Sequence, residues 1–517
     1  MNTKRIITLA AISLTSLSVY AADVQVTADI TTDTTWTADN DYLLGKPVFV
    51  KNGATLTIQP GTKVYGYTDT ANSTFGSLVI TRGAKINANG RPDAPIVFTA
   101  LAERDGLSDG AGGTRDLTLE DSGLWGGVII LGRAILNTPN NPAINPTSPV
   151  IGTFDVEGFP AGSSDDITYG GDDDTDNSGV LRYVSIRFGG YEFAQDNEIN
   201  GLTLGAVGSG TTIEYVEVFN NQDDGIDFFG GTVNTRYLVM AFNEDESFDW
   251  DQGFRGSGQY WFGIQKSVGD GSNYGLEMDG GDGDVKTLQP FAIPQIYNLT
   301  MIGSGVGSAN PQDNAALRMK DNTGGFFHNS IFTDFVDYAI RVDDADTEAQ
   351  QANGNLGTYG VIWGAFGSGS TAADLARSGK AAELAVVNGI EDSNRIADPL
   401  LGGISRVADG GLDPIPGAGS LAYAAPLSTP VNSFIQPAAY KGAFSNEIGN
   451  WASGWTYLSQ KGYFSNAAAN INTANLGWIT APGGYFGAGQ WVWSWTLAKY
   501  VYVGSDGPGG SWVYVLK

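Results

Sequence analysis

Two short strings of residues return again and again through the middle of this chain, and their recurrence restricts its fold more than any other feature. The first runs Tyr183-Val-Ser-Ile, Tyr215-Val-Glu-Val, Tyr237-Leu-Val-Met, Tyr260-Trp-Phe-Gly and Tyr297-Asn-Leu-Thr. The second runs Gly201-Leu-Thr-Leu, Gly225-Ile-Asp-Phe, Ser247-Phe-Asp-Trp, Gly275-Leu-Glu-Met, Ala316-Leu-Arg-Met and Ala339-Ile-Arg-Val. Copies of the second follow one another at 22 to 41 residues, the excess falling in Gly-, Asn- and Asp-rich stretches that read as loops. Each unit alternates over four or five residues at period two, the period of a strand; a helix needs a period of about 3.6 and more length. Strands this short bury little alone, so the copies must stack, each pairing with its equivalent in the next coil about 4.8 Å away. A parallel β-helix satisfies these conditions.

The same texture begins earlier, in Leu56-Thr-Ile-Gln-Pro-Gly-Thr-Lys-Val, Leu78-Val-Ile-Thr-Arg-Gly-Ala-Lys-Ile, Pro95-Ile-Val-Phe-Thr and Trp125-Gly-Gly-Val-Ile-Ile-Leu. Here the chain resembles the right-handed parallel β-helix proteins of the pectate-lyase-like group. From about Leu56 to Leu421 it also resembles a family of exported bacterial β-helix proteins. That resemblance rests on Gly170-Gly-Asp-Asp-Asp, Asp196-Asn-Glu-Ile-Asn-Gly-Leu-Thr-Leu-Gly, Asp224-Gly-Ile-Asp-Phe-Phe-Gly-Gly-Thr-Val-Asn, Asp398-Pro and Leu412-Asp-Pro-Ile-Pro. It implies a fold and an exported location, and no activity. The expected class is therefore all-β, a right-handed parallel β-helix solenoid with a small C-terminal aromatic β-hairpin module. Its expected parts are a signal peptide (1–22), N-terminal coils (23–140), an inserted acidic loop (141–180), central and C-terminal coils with an edge cover (181–430) and the aromatic module (445–517). The edge cover is expected from the helical composition of 371–389, because a solenoid's last strand must be capped. The module holds 7 of the 12 Trp and resembles Gly-Trp-Tyr hairpin repeats at the C-termini of bacterial surface proteins; its rings suit either a small core or stacking on sugars.

Charge narrows the function. With 56 acidic against 28 basic residues the net charge is −28, which opposes nucleic acid and anionic lipid and leaves cations, cationic partners or solubility. Lys4 and Arg5, the apolar run Ile6 to Leu17 and the small residues around Ala21 form the layout of a secretory signal, so a secreted or cell-surface location is expected. No later run is long and apolar enough to span a bilayer. With no Cys the chain has no disulfides, and stacking of repeats must stabilise it.

The candidate chemistry lies on the outward face of the second strand family. If Leu202, Ile226, Phe248, Leu276, Leu317 and Ile340 point inward, period two sends Thr203, Asp227, Asp249, Glu277, Arg318 and Arg341 outward. Two residues on come Asp251, Asp279 and Lys320, and the preceding turns stack Asp223 and Asp245. Carboxylates on adjacent coils repel unless a cation lies among them or some stay protonated. Oxygen-only ligands at this density suit Ca²⁺; a solvated acidic face is the bland alternative. Asp172, Asp174 and Asp176 form a second, looser group that fails the EF-hand pattern and reads as an ion loop or a polar turn.

An enzyme is the main alternative. Polygalacturonases share the resembled fold and carry Asn-Thr-Asp, Asp-Asp, Gly-His-Gly and Arg-Ile-Lys on successive coils. This chain has Gln222-Asp-Asp-Gly, Glu244-Asp-Glu-Ser, Asn273-Tyr-Gly and Arg318-Met-Lys, with Tyr274 in the His position. The catalytic set would then be Asp224, Asp227 and Asp249 with Arg318 and Lys320, acting on acidic polysaccharide either by carboxylate-only hydrolysis or as a lyase whose base is Arg318 or Lys320 with a depressed pKa. His328, the only histidine, reads as structural. The sequence thus predicts a calcium-binding, adhesive or polymer-binding surface protein, with extracellular or cell-envelope polysaccharide or a surface protein as partner.

Overall fold

The computed structural model describes residues 21–69, 74–137, 152–194, 197–267, 274–281, 286–308, 315–465 and five later strands between 469 and 515. The expected signal segment lies outside the described residues except for Ala21 and Ala22. The repeats form a parallel β-helix. One nine-stranded parallel sheet runs coil by coil from Pro47–Val50 through Ser77–Ile80, Val128–Leu131, Leu202–Gly205, Ile226–Phe229, Phe248–Asp251, Tyr274–Asp279 and Ala315–Lys320 to Tyr338–Val342. Its register matches the repeat: Leu202, Ile226, Phe248, Leu276, Leu317 and Ile340 are successive partners, and each is at most 1% exposed.

The first strand family belongs to longer strands, Gly179–Arg187, Thr212–Phe219, Asn234–Ala241 and Ser257–Ile264, each of which bends midway and so supplies two faces of the coil. The bend sits on the recurring tyrosine. Tyr183, Tyr215, Tyr237 and Tyr260 all have φ between 49° and 59°, a left-handed conformation that costs about 1–2 kcal/mol for a residue with a Cβ. The coil repeat offsets this by stacking the rings, at centroid distances of 4.4, 4.3 and 5.0 Å. In the next coil the sequence alignment is one residue out. Tyr297 pairs with Gln259, and Asn298, at φ 54°, takes the corner, because Asn tolerates this conformation without a stacked neighbour.

The last rung and one long side of the solenoid are covered. Helices Ala372–Leu375 and Ala381–Asn388 close the last rung, where the fully buried Glu383 accepts the backbone N–H of Val342 at 2.8 Å. Residues 428–465 run back along the bent strands. Asn329, Gln259 and Asn298 donate side-chain hydrogen bonds to the carbonyls of Ser428, Gln436 and Tyr440. Trp451 and Trp455 meet the tyrosine stack edge-on. These two Trp therefore pack with the solenoid, and the separate antiparallel sheet of five strands starts only at Ala469; the side chains of its other Trp lie outside the description.

The described part of the insertion begins at Gly152. Phe154–Asp155 pairs with Thr168–Tyr169, and Val156, Ile167 and Tyr169 cover the outward Val79, Ile129 and Leu131 of the nine-stranded sheet. The early coils thus present apolar residues outward and need a lid, whereas the later coils present charge.

Candidate cation pocket

Where the insertion ends, the outward column turns acidic. Thr203, Asp227, Asp249, Glu277, Arg318 and Arg341 follow one another in register, as period two requires. The carboxylates among them, Asp227, Asp249 and Glu277, form the floor of a pocket of ≈ 390 Å³ in which eleven of the 14 lining residues carry carboxyl groups. Asp223, Asp224, Asp245 and Glu246 enter from the turns before the strands, and Asp251 and Asp279 from the strand ends. No Lys or Arg lines it among the described residues.

The hydrogen bonds within the pocket leave much of this charge unanswered. Asp224 Oδ1 accepts the N–H of Glu246 at 2.9 Å. The Asn200 amide donates both to Glu157 Oε1 at 2.7 Å and to Asp227 Oδ2 at 3.3 Å. Buried Asp227 Oδ1, Glu246 Oε1, Asp249 Oδ1 and Asp279 Oδ1 accept no hydrogen bond. An unmet buried carboxylate oxygen is costly, so these atoms want either a proton or a cation. Burial, then neighbouring carboxylates, pushes Asp223, Asp224, Asp227, Glu246 and Asp249 well above the usual carboxylate range. Burial likewise raises Glu157 to about 7.

The residues present fit a hard divalent cation. Oxygens of Asp224, Asp245 and Glu246 all lie within 4.8 Å of one another, about twice a Ca²⁺–oxygen bond, so one ion can touch all three. Asp227, Asp249, Asp251, Glu277 and Asp279 stand on the same face.

The C-terminal end of the pocket is closed by ion pairs. Arg318 bridges Glu277 at 3.0 Å and Asp343 at 2.9 Å, and its guanidinium lies over the Tyr274 ring. Lys320 contacts Glu277 and lies 3.2 Å from Asp279. Although burial opposes it, these carboxylates hold both basic groups above their ordinary values. Neither has the depressed pKa that a lyase base needs: acids on the adjacent rungs, Glu277 and Asp279 below and Asp343 above, stabilise the proton.

The looser group does not assemble. Asp174 is taken by Arg255 at 2.7 Å and by the Ile135 N–H, and Asp176 accepts the Ser178 hydroxyl at 2.9 Å. With Asp172 they make no three-ligand cluster among the described residues, and these contacts read as turn chemistry. His328 lies on another face, stacked on Tyr297 at 4.2 Å with its pKa lowered by burial to about 4.

Three lining carboxyls were not among the sequence candidates. Glu246 follows Asp245 inside a string the sequence had singled out, and Glu198 sits in the Asn-Glu-Ile-Asn stretch before Leu202, so both were within reach. Glu157 comes from the insertion, and no periodicity points to it.

Comparison with known proteins agrees with this architecture. The family model for the pectate-lyase-like β-helix domain matches residues 28–385. No curated protein and no solved structure matches the chain.

Proposed function

Since the chain belongs to the pectate-lyase-like β-helix family, we propose that it is a calcium-binding β-helix protein, secreted or held at the cell surface, with an adhesive, structural or polymer-binding role. The observation that carries this reading is the set of buried carboxylate oxygens without hydrogen bonds beside a three-carboxylate cluster of the right span. The ligand set contains no His or Cys, which favours calcium over softer metals. A cation held between coils ties successive rungs together and takes the place of the disulfides the chain lacks. The signal-like N-terminal layout, Lys4 and Arg5 before an apolar run, supports export, and polysaccharide or a surface protein is the partner such a location offers. Among the described residues no helix is long and apolar enough to cross a membrane.

Differential scanning calorimetry with calcium and with chelator tests it. Binding to the folded state alone adds on the order of 3 kcal/mol at a hundredfold excess over Kd, so calcium should raise Tm by several degrees. An unchanged Tm at millimolar calcium rejects the cation role.

One feature favours the enzyme alternative, cleavage of an acidic polysaccharide. Glu157, at about 7, shares the Asn200 amide with Asp227, so their oxygens stand no more than about 6 Å apart, a separation compatible with an acid and its partner in glycoside hydrolysis. Release of reducing ends from uronic-acid oligomers would establish that reading.

A further inference from the structure

We infer that the floor of the pocket binds an alkyl polyamine, a linear chain of protonated amines joined by short methylene spacers, seated along Asp227 and Asp249. This goes beyond the calcium reading: the ligand is organic, and it uses carboxyls other than the cluster of Asp224, Asp245 and Glu246.

The protein's own side chains show what this column of carboxylates accepts. Lys320 brings a primary ammonium to the rung before its own, where it contacts Glu277 and lies 3.2 Å from Asp279. Glu277 is the register partner of Asp249, and Asp249 of Asp227. The same outward position therefore carries a carboxylate on three successive rungs. Only the last of them meets an amine of this chain, because no Lys or Arg lines the pocket among the described residues. Asp227 is 5% exposed and its Oδ1 accepts no hydrogen bond; Asp249 Oδ1, one rung on, accepts none either. Buried carboxylate oxygens left this way favour a charged donor. An amine seated here extends to the two preceding rungs the pairing that Lys320 makes with Glu277.

A metal ion does not suit this pair, since among the described residues three ligand oxygens come within reach of one ion only at Asp224, Asp245 and Glu246. An ammonium needs no such cage: each of its N–H groups donates to a separate acceptor, and one or two carboxylates suffice. The rung spacing selects the chain. Rungs stand about 4.8 Å apart, and two amines joined by three carbons lie about 5 Å apart when extended, so consecutive amines meet consecutive rungs. The volume of ≈ 390 Å³ is that of a small-molecule site, roughly 300–1,000 Å³. Phe229, at the end of the Asp227 strand, also lines the pocket and offers a ring to methylenes or to an ammonium.

Calorimetric titration of the full chain with spermidine, at pH 8 and about 0.15 M salt to screen loose charge attraction, tests the proposal. In chelator, wild type should bind one spermidine saturably, and should bind 1,3-diaminopropane at least tenfold more tightly than propylamine. Hexaamminecobalt(III), which has the charge of spermidine and no chain, should compete at least tenfold more weakly. Asp249→Asn, which keeps the shape and removes the charge, should weaken spermidine at least tenfold. Asp116→Asn, at an exposed acid outside the pocket, should leave it unchanged. No saturable binding, equal affinity for the diamine and propylamine, equal competition by the cobalt complex, or unchanged affinity in a folded Asp249→Asn each overturns the inference. The spacer ranking is read on wild type and decides the matter even where the variant does not fold. Calcium binding without spermidine binding overturns this site and leaves the metal reading; spermidine binding without calcium binding does the reverse.

Discussion

Asp227 shows how a single position acquires its character from its rung. As the middle residue of Ile-Asp-Phe it must point outward, and as one step in a parallel ladder it must face Asp249. That much was legible in the sequence, since only period two and the spacing of copies were needed. What could not be read was the company it keeps, because Glu157 is 70 residues earlier and arrives through the tertiary placement of an insertion. The same limit explains the failed base. A depressed pKa at Arg318 or Lys320 would require uncompensated burial, and the acids that prevent it come from the rungs on either side. The raised carboxyl groups make a pH prediction with a definite sign. Glu157 has a folded pKa of about 7 against an ordinary 4.5, so between those values the folded protein holds a proton that the unfolded chain has released. In chelator, stability should therefore fall as pH rises through this window, by on the order of 3 kcal/mol from this group, and Asp223, Asp227 and Asp249 push the same way. Urea midpoints at pH 5, 6.5 and 8 measure it, and calcium should flatten the slope. Midpoints that climb with pH in chelator would contradict the burial of these groups.

At the scale of elements, the bent strands carry the clearest link between sequence and backbone. A tyrosine recurring at the start of one string signals a ladder, but the string by itself does not reveal that the residue occupies a left-handed corner, since the usual reading of a β-enriched aromatic is extended backbone. The copy at Tyr297 exposed the difference: the corner followed the residue suited to its φ, Asn298, and the aromatic moved one place back. Two requirements are thus superposed at each corner, tolerance of positive φ and stacking on the rings above and below, and substitution can separate them. Tyr215→Asn keeps the first and removes two stacked pairs, with Tyr183 and Tyr237, each contributing about 0.5–1.5 kcal/mol beyond area. Tyr215→Val removes the stacking and adds a β-branched side chain at positive φ. Both should destabilise, and Val by at least ~1 kcal/mol more than Asn, as read from chemical denaturation. Equal losses would mean that the corner conformation carries no strain.

Across the whole molecule, one sheet face changes chemistry along its length. It is apolar and covered at Phe49, Val79 and Ile129, carboxylate-lined from Asp227 to Glu277, and ion-paired at Arg318 and Arg341. A different face is covered by the chain's own return. That return also places the boundary between solenoid and C-terminal sheet, which composition alone put at 445 because Trp-rich sequence begins there. Composition does not distinguish a ring that packs against another ring of its module from one that packs on the solenoid. Trp455, 1% exposed, lies against Tyr183 and Tyr215, and the fully buried Glu217 accepts the N–H groups of Tyr457 at 2.6 Å and Leu458 at 3.2 Å. Residues 445–465 therefore belong energetically to the β-helix. Truncation after Ser465 removes only the five-stranded sheet and should leave the solenoid's Tm within about 2 °C. Truncation after Phe444 strips Trp455, Tyr457 and Leu458 from the bent strands, each contributing about 1.5–3 kcal/mol through burial. It also leaves Glu217 without its two backbone donors, so Tm should fall by well over 5 °C. If the C-terminal sheet is the attachment module, the longer truncation product should also leave the cell surface for the medium while remaining folded. Equal melting of the two products would show that the returning segment is only draped on the solenoid, and retention of the folded Ser465 product on cells would move attachment elsewhere in the chain.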